Sequence, residues 1–237
     1  MESLKTNPSL LKQLSNCIRI LTADAVEKAN SGHPGMPLGM ADVMTILALE
    51  FLRFDPNNPK WPHRDRLVLS AGHGSMLLYS FYYLAGYKDF TIDDIKNFRQ
   101  LGSKTPGHPE YGVYPAIETS TGPLGQGLAN AVGMAIAAKK AGESHKIYVI
   151  VGDGCLMEGI AYEAISLAGH LRLDNLIVIF DDNKITIDGD TSLTISEDHQ
   201  EKFHAFGWNT FIAEGHDFNS IRSSLQTARF SGRPSFI

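Results

Sequence analysis

Asp153 and Asn183 are the residues best placed by type and spacing to do chemistry. Thirty positions separate them, and each closely follows an apolar, β-branched run, residues 146–151 and 175–180. Such runs are expected to be buried parallel strands, and residues 157–171 between them carry helical apolar spacing. The predicted unit is therefore strand, loop, helix, strand, loop, with an oxygen-bearing residue beyond the carboxyl end of each strand. In an open α/β sheet that edge is where ligands bind. A carboxylate and a carboxamide oxygen suit Mg²⁺, which keeps other positions for water and phosphate. Gly152 and Gly154 flank Asp153, and glycine there lets a phosphate come close to the backbone. The competing reading of both residues is that they cap the following helices.

His33, His73 and His108 form a second group. Each sits in a Gly/Pro loop rather than on an apolar stripe. Loops held over a rigid scaffold concentrate functional side chains, and imidazole titrates close enough to neutrality to move protons. The alternative is three isolated surface histidines. His63, His145, His170, His204 and His216 lack such settings and are expected to face solvent. Cys17, in a predicted helix, and Cys155, in the Gly-Asp-Gly loop, are read as reduced thiols. A nucleophile elbow on Cys155 needs glycines at positions 153 and 157, where Asp153 and Met157 stand. A zinc hydrolase built on the loop histidines lacks close His-x-x-x-His spacing. The stretch Gly122-Pro123-Leu124-Gly125-Gln126-Gly127 imitates a dinucleotide fingerprint, but it follows no predicted strand and Asn130 stands where the third glycine belongs.

The elements that must position these residues are legible in outline. Helices are expected over residues 9–29, from after Gly39 through Phe51, over 75–84 and 124–140, near 197–206 and from Asp217. Short strands are expected at 67–69, 208–213 and from Ser235. Thr91 and Asp94 read as a capping pair for a short helix ending near Arg99. Residues 100–122 are a long irregular stretch, which usually means function. The pattern is a doubly wound α/β fold, a mostly parallel sheet with helices on both faces.

At 237 residues the chain is long enough for one large core, so a single domain over 1–237 is expected. A net charge of −5 leaves no basic footprint, so nucleic acid is not an expected partner. Charged residues interrupt the N-terminus where a secretory signal has its apolar core, and no apolar run approaches the ~20 residues that span a bilayer. A soluble, cytoplasmic chain without a membrane partner is expected.

The order of motifs closely resembles the amino-terminal, diphosphate-binding domain of transketolases. The matching stretches are Asn30-Ser31-Gly32-His33-Pro34-Gly35, Arg64-Asp65-Arg66, Ser70-Ala71-Gly72-His73-Gly74, Lys104-Thr105-Pro106-Gly107-His108-Pro109-Glu110, the turn beginning at Thr121-Gly122, the Gly-Asp-Gly loop and Asp181-Asp182-Asn183. The similarity runs from about Ile20 to the last residue. It implies the thiamine-diphosphate-binding fold, with thiamine diphosphate and Mg²⁺ (or Ca²⁺ or Mn²⁺) as cofactors.

By resemblance Asp153, Asn183 and the backbone carbonyl of Ile185 hold the metal. His73, the backbone of Gly154, Gly122, Pro123, Leu124 and again Asn183 contact the cofactor, with Glu158 at the dimer interface that buries it or simply at a helix start. His33 and His108 bind sugar hydroxyls and shuttle protons. The resemblance implies transfer of a two-carbon ketol unit between sugar phosphates in the pentose phosphate pathway. The expected partner is a second copy of the chain, a separate chain with the pyrimidine-binding domain, or both. Family members also carry a pyrimidine-binding and a carboxy-terminal domain, so the 237 residues are expected to be inactive alone. Two alternatives are a cofactor-binding remnant without catalysis and a related thiamine-diphosphate enzyme with another substrate.

Overall fold

The apolar runs that flank Asp153 form the two central strands of a parallel sheet. In the computed structural model, which describes residues 7–187 and 189–237, the strands are β1 (Arg66–Leu69), β2 (Ile147–Gly152), β3 (Leu176–Asp181), β4 (Ile185–Thr186), β5 (Gly189–Asp190), β6 (Asn209–Thr210) and β7 (Ser235–Phe236). The main sheet runs β1-β2-β3-β7-β6, every neighbouring pair parallel, while β4 and β5 form a separate antiparallel hairpin. Residues 147–151 and 176–178 are fully or almost fully buried on both faces. A parallel strand buried this way needs cover on either side, which is why its sequence is nearly continuous Val and Ile. The architecture is doubly wound α/β.

The chain divides into two compact units, each assembled from separate stretches. The first comprises Met1–Arg64, His73–Ser120 and Glu214–Ser223, and the second Asp65–Gly72, Thr121–Ala213 and Ser224–Ile237.

The first unit is helical. Its longest helix, Pro8–Ala29, starts with Asn7 accepting from the Ser9 and Leu10 amides and ends on a left-handed Asn30. Residues Ser75 to Tyr82 of the helix Ser75–Leu84 are all buried, as expected for a helix that is apolar all round. Its Phe81 and Tyr82 join Phe54, Tyr87, Phe90 and Tyr114 in an aromatic cluster, ring centroids 5.0–5.8 Å apart. The hydroxyls of Tyr82 and Tyr114 donate to the Ala116 and Lys88 carbonyls, so these rings are buried without an orphaned donor. Asp42 is fully buried against Arg19, whose Nη2 lies 2.5 Å from Oδ2, and the His216 Nδ1 stands 2.9 Å from the same oxygen. Thr91 and Asp94 form a reciprocal capping box on the helix Ile92–Lys96.

The second unit holds the whole sheet. Its buried Trp208 stacks edge-on to Phe203, 5.0 Å between centroids, and donates its indole N–H to the Ile165 carbonyl at 2.9 Å. Asn175 donates to the Ala135 carbonyl and so fastens the helix Gln126–Lys140 beside the start of β3. Ser70 Cα would stand 2.6 Å from a Cβ on Gly127, so only glycine lets this helix start pass the end of β1.

Some expectations are corrected here. Asp153 is not in a loop but opens a short helix, Asp153–Met157, which the helix Gly159–His170 follows. The β4–β5 hairpin and the turn of helix Gly35–Gly39 were not expected. His145 is buried, 6% exposed, rather than solvent-facing. The ring of His216, 63% exposed, nevertheless meets Asp42.

Candidate active site

In the first unit the three loop histidines come together. The rings of His33 and His73 meet edge-on, 5.3 Å between centroids. The helix Ser75–Leu84 begins just after His73 and also holds the third loop: Ser75 Oγ donates to the Gly107 carbonyl at 2.9 Å and Tyr79 Oη to the Pro106 carbonyl at 2.8 Å. His108 follows directly. Met36 lies within 2.6 Å of where a Cβ on Gly74 would stand, so the His73 turn and the segment after His33 approach closely. Burial lowers the pKa of all three rings. Arg99 adds to the effect at His33 and His108, His33 and His108 add to it at His73, and Glu110 partly opposes it at His108. Neutral imidazoles follow at physiological pH, each able to accept a proton or share one with a hydroxyl. His108 also lines an open cavity of about 630 Å³ with Ser31, Arg99 and Glu110.

In the second unit the carboxyl ends of β2 and β3 lie side by side, Gly152 opposite Asp181. Asp153 follows the first, and its side chain is buried at 3% exposure. Its Oδ2 has no hydrogen-bond partner. Desolvation, then repulsion from Asp182, raises its carboxyl to about 6, opposed by Lys184 and by the backbone amides of Asp153 and Lys184. That contact brings Asp153 to the loop of Asn183 and Ile185. Asn183 is exposed; its Oδ1 accepts from the Ile185 amide at 3.1 Å and its Nδ2 donates to Asp181. Lys184 is left-handed at φ 60° and pairs with Asp182 at 2.7 Å.

The turn 122–125 closes on the same place. Leu124 Cδ1 lies 3.0 Å from a Cβ built on Gly154, and Glu158 Cβ 2.9 Å from one built on Gly125. Leu124 and Gly125 of that turn thus pack against Gly154 and Glu158, close in sequence to Asp153, and Pro123 lies exposed on the turn. Glu158 makes no capping hydrogen bond at the start of its helix.

A buried, unpartnered carboxylate oxygen is costly, and it is the feature a cation would relieve. The donor types are right for a hard one: carboxylate, carboxamide and backbone carbonyl, all oxygen. No cluster of three or more His, Cys, Asp or Glu suited to a metal occurs among the described residues, so a cation here must draw on phosphate and water as well.

A family model described as "Transketolase, thiamine diphosphate binding domain" matches residues 10–237. The chain belongs to that family. A transketolase from Cereibacter sphaeroides is 56% identical over 232 residues, covering 95% of this chain and 35% of that protein. The crystal structure of transketolase from Campylobacter jejuni superposes with a TM-score of 0.94 at 51% identity, over 98% of this chain and 37% of the other. A transketolase variant from Pichia stipitis in complex with fructose 6-phosphate gives 0.92 at 46%, over 95% and 35%. The chain spans about a third of the length of the curated relatives it matches.

Sequence reasoning missed two residues near these transketolase-like motifs. Arg99, beside His33 and His108, follows the short helix as an apparently ordinary surface cation. His199 is buried at 8% exposure with both ring nitrogens unpartnered, edge-on to Phe180 at 5.2 Å. It sits in a polar stretch, Asp198-His199-Gln200-Glu201, where no apolar spacing signals burial.

Proposed function

We propose that the chain is a diphosphate-binding domain over residues 1–237 of a transketolase that moves a two-carbon ketol unit from a ketose phosphate to an aldose phosphate in the pentose phosphate pathway. The observation that carries this reading is the buried, unpartnered oxygen of Asp153 at the carboxyl edge of β2, against the backbone of Lys184. A family relative crystallised with fructose 6-phosphate, a ketose phosphate, supports the substrate class.

Thiamine diphosphate, when bound, supplies the electron sink for the transfer. Asp153, the Asn183 carboxamide oxygen and the Ile185 carbonyl would hold Mg²⁺, or Ca²⁺ or Mn²⁺ by the same hard-cation chemistry. The Gly154 amide and His73 would receive diphosphate oxygens, and the turn of Gly122, Pro123 and Leu124 would border the cofactor. Glu158 would stand at an interface between subunits. His33 and His108 would bind the sugar hydroxyls. Their neutral rings take up a proton from a hydroxyl and return it, which is the service a ketol transfer needs from general bases. The enzyme would be cytoplasmic, working as a homodimer or with a chain that carries the pyrimidine-binding domain.

The test is ketol transfer, together with deuterium exchange at the cofactor's thiazolium carbon, measured for the 237 residues alone, for a chain with the pyrimidine-binding domain alone, and for both. Transfer and fast exchange only with both together are expected. Enzyme-like exchange from the 237 residues alone would overturn the need for a second part. No transfer from any combination, with cofactor bound, would overturn the transketolase reading.

A further inference from the structure

Arg99 belongs to none of the motifs above, yet its contacts reach both loops that carry the proposed sugar-handling histidines. Its backbone occupies the left-handed region at φ 61°, which few residues other than glycine adopt. Its amide donates to the Thr105 carbonyl at 2.9 Å. Nη1 donates to Ser31 Oγ at 2.7 Å, two residues before His33. The same guanidinium lies against Gly107, the residue before His108: a Cβ there would stand 3.0 Å from Nε and 3.2 Å from Cζ. Nε is buried and has no hydrogen-bond partner, so the group is held there by its other contacts. Phe98, almost fully buried, supports the arrangement. Its ring centroid is 5.6 Å from the Arg99 Cζ, and its Cε1 would stand 3.0 Å from a Cβ on Gly32.

We propose that Arg99 is a positioning residue of the histidine cluster, a single guanidinium that ties the His33 loop to the His108 loop and fixes where the two rings stand. This deepens the reading of His33 and His108 as the groups that handle the sugar, and rests on it. A guanidinium suits the task because it is planar, always charged and offers several donors from one rigid group. The charge has a consequence besides position. His33 faces Arg99 and His73; His108 faces Arg99, His33 and Glu110; His73 faces the other two histidines. A fixed positive charge opposes protonation of His33 and His108, so Arg99 helps keep both rings in the proton-accepting form.

The experiment is an NMR titration of the histidine rings in the chain, assigned by single histidine substitutions. Arg99→Gln, which removes the charge but keeps much of the bulk, moves the midpoints of His33 and His108 upward, and that of His73 less. Arg99→Lys, which keeps the charge, leaves all three near their original midpoints. In the assembled enzyme with thiamine diphosphate, Mg²⁺ and sugar phosphates, both variants lower kcat by about 10- to 100-fold through misplaced rings. Unmoved His33 and His108 midpoints in a folded Arg99→Gln chain overturn the proposal. Should that variant not fold, Ser31→Ala removes only the tether and keeps the charge; turnover that stays unchanged there, while His33→Ala lowers it, overturns the positioning role. Shifted midpoints with unchanged turnover leave Arg99 in its role and overturn the assignment of the histidines to sugar chemistry, so the two failures are distinguishable.

Discussion

Replacing Asp153 with asparagine should stabilise the metal-free chain and abolish its response to metal and cofactor. The carboxyl of Asp153 is raised from 3.8 to about 6, first by burial and then by Asp182. Between those two pH values the folded chain keeps a proton that the unfolded chain has released. Metal-free stability therefore falls as pH rises through the window, and the full penalty is present above about 6. A shift of that size is worth about 3 kcal/mol. The asparagine variant escapes it but buries an amide without a partner, which returns about 1 kcal/mol. The net gain of about 2 kcal/mol at pH 8 corresponds to a rise of about 4–8 °C in Tm for a chain this long. At pH 5 the folded aspartate is mostly protonated and about half the penalty remains, so the gap should shrink to about 0.5 kcal/mol. Saturating Mg²⁺ and thiamine diphosphate reverse the order, since ligand at a hundred times its Kd adds about 2.7 kcal/mol to the wild type and little to the variant. Thermal melts at pH 5 and pH 8, in chelator and then with both ligands, read all four quantities. A variant that gains as much from Mg²⁺ and cofactor as the wild type refutes the metal assignment. A variant that is destabilised in chelator by the same amount at both pH values refutes the electrostatic reasoning.

In the assembled enzyme, His33→Ala and His108→Ala should each lower ketol turnover by about 10²- to 10⁴-fold with cofactor affinity nearly unchanged, whereas His73→Ala weakens cofactor binding too. Calorimetry and steady-state rates check this, and equal loss of cofactor binding in all three contradicts the division of roles. In the Asp153→Asn chain, stability should fall as pH drops below about 6.5, because burial holds the three rings below that ordinary value and the unfolded chain takes up protons first. Denaturant midpoints that stay flat or rise between pH 7 and pH 5.5 contradict it. Asp42→Ala removes a fully buried carboxylate from Arg19, whose side chain is 19% exposed, and should cost about 3 kcal/mol; an unchanged urea midpoint shows the network is dispensable.

What could be read in advance was whatever a short stretch decides for itself. β2 and β3 were legible because a strand buried on both faces has no polar position to blur it, and the helix Ser75–Leu84 because an apolar run that long after Gly74 suits little else. The Thr91 and Asp94 cap was legible because both partners lie three positions apart. What distant neighbours decide was not. Strands were expected at 208–213 and from Ser235, and β6 and β7 stand there, but each is only two residues long, and their parallel pairing with one another and with β3 is not set by their own sequence. His145 and His199 lie in polar stretches, yet the sheet and its covering helices enclose them. Residues 65–72 belong to a unit whose other members begin at Thr121, a grouping no window along the chain contains.

The candidate site divides along the same line. Residues with a local reason to be there, an aspartate just past a strand end and the glycines that flank it, were visible from type and spacing. Arg99 was not, because its role exists only where Ser31 and Gly107, 68 positions before and 8 after, meet one guanidinium. The groups proposed to contact ligand can therefore be named from motifs, while the groups proposed to hold them in place emerge only once the fold brings separate loops together.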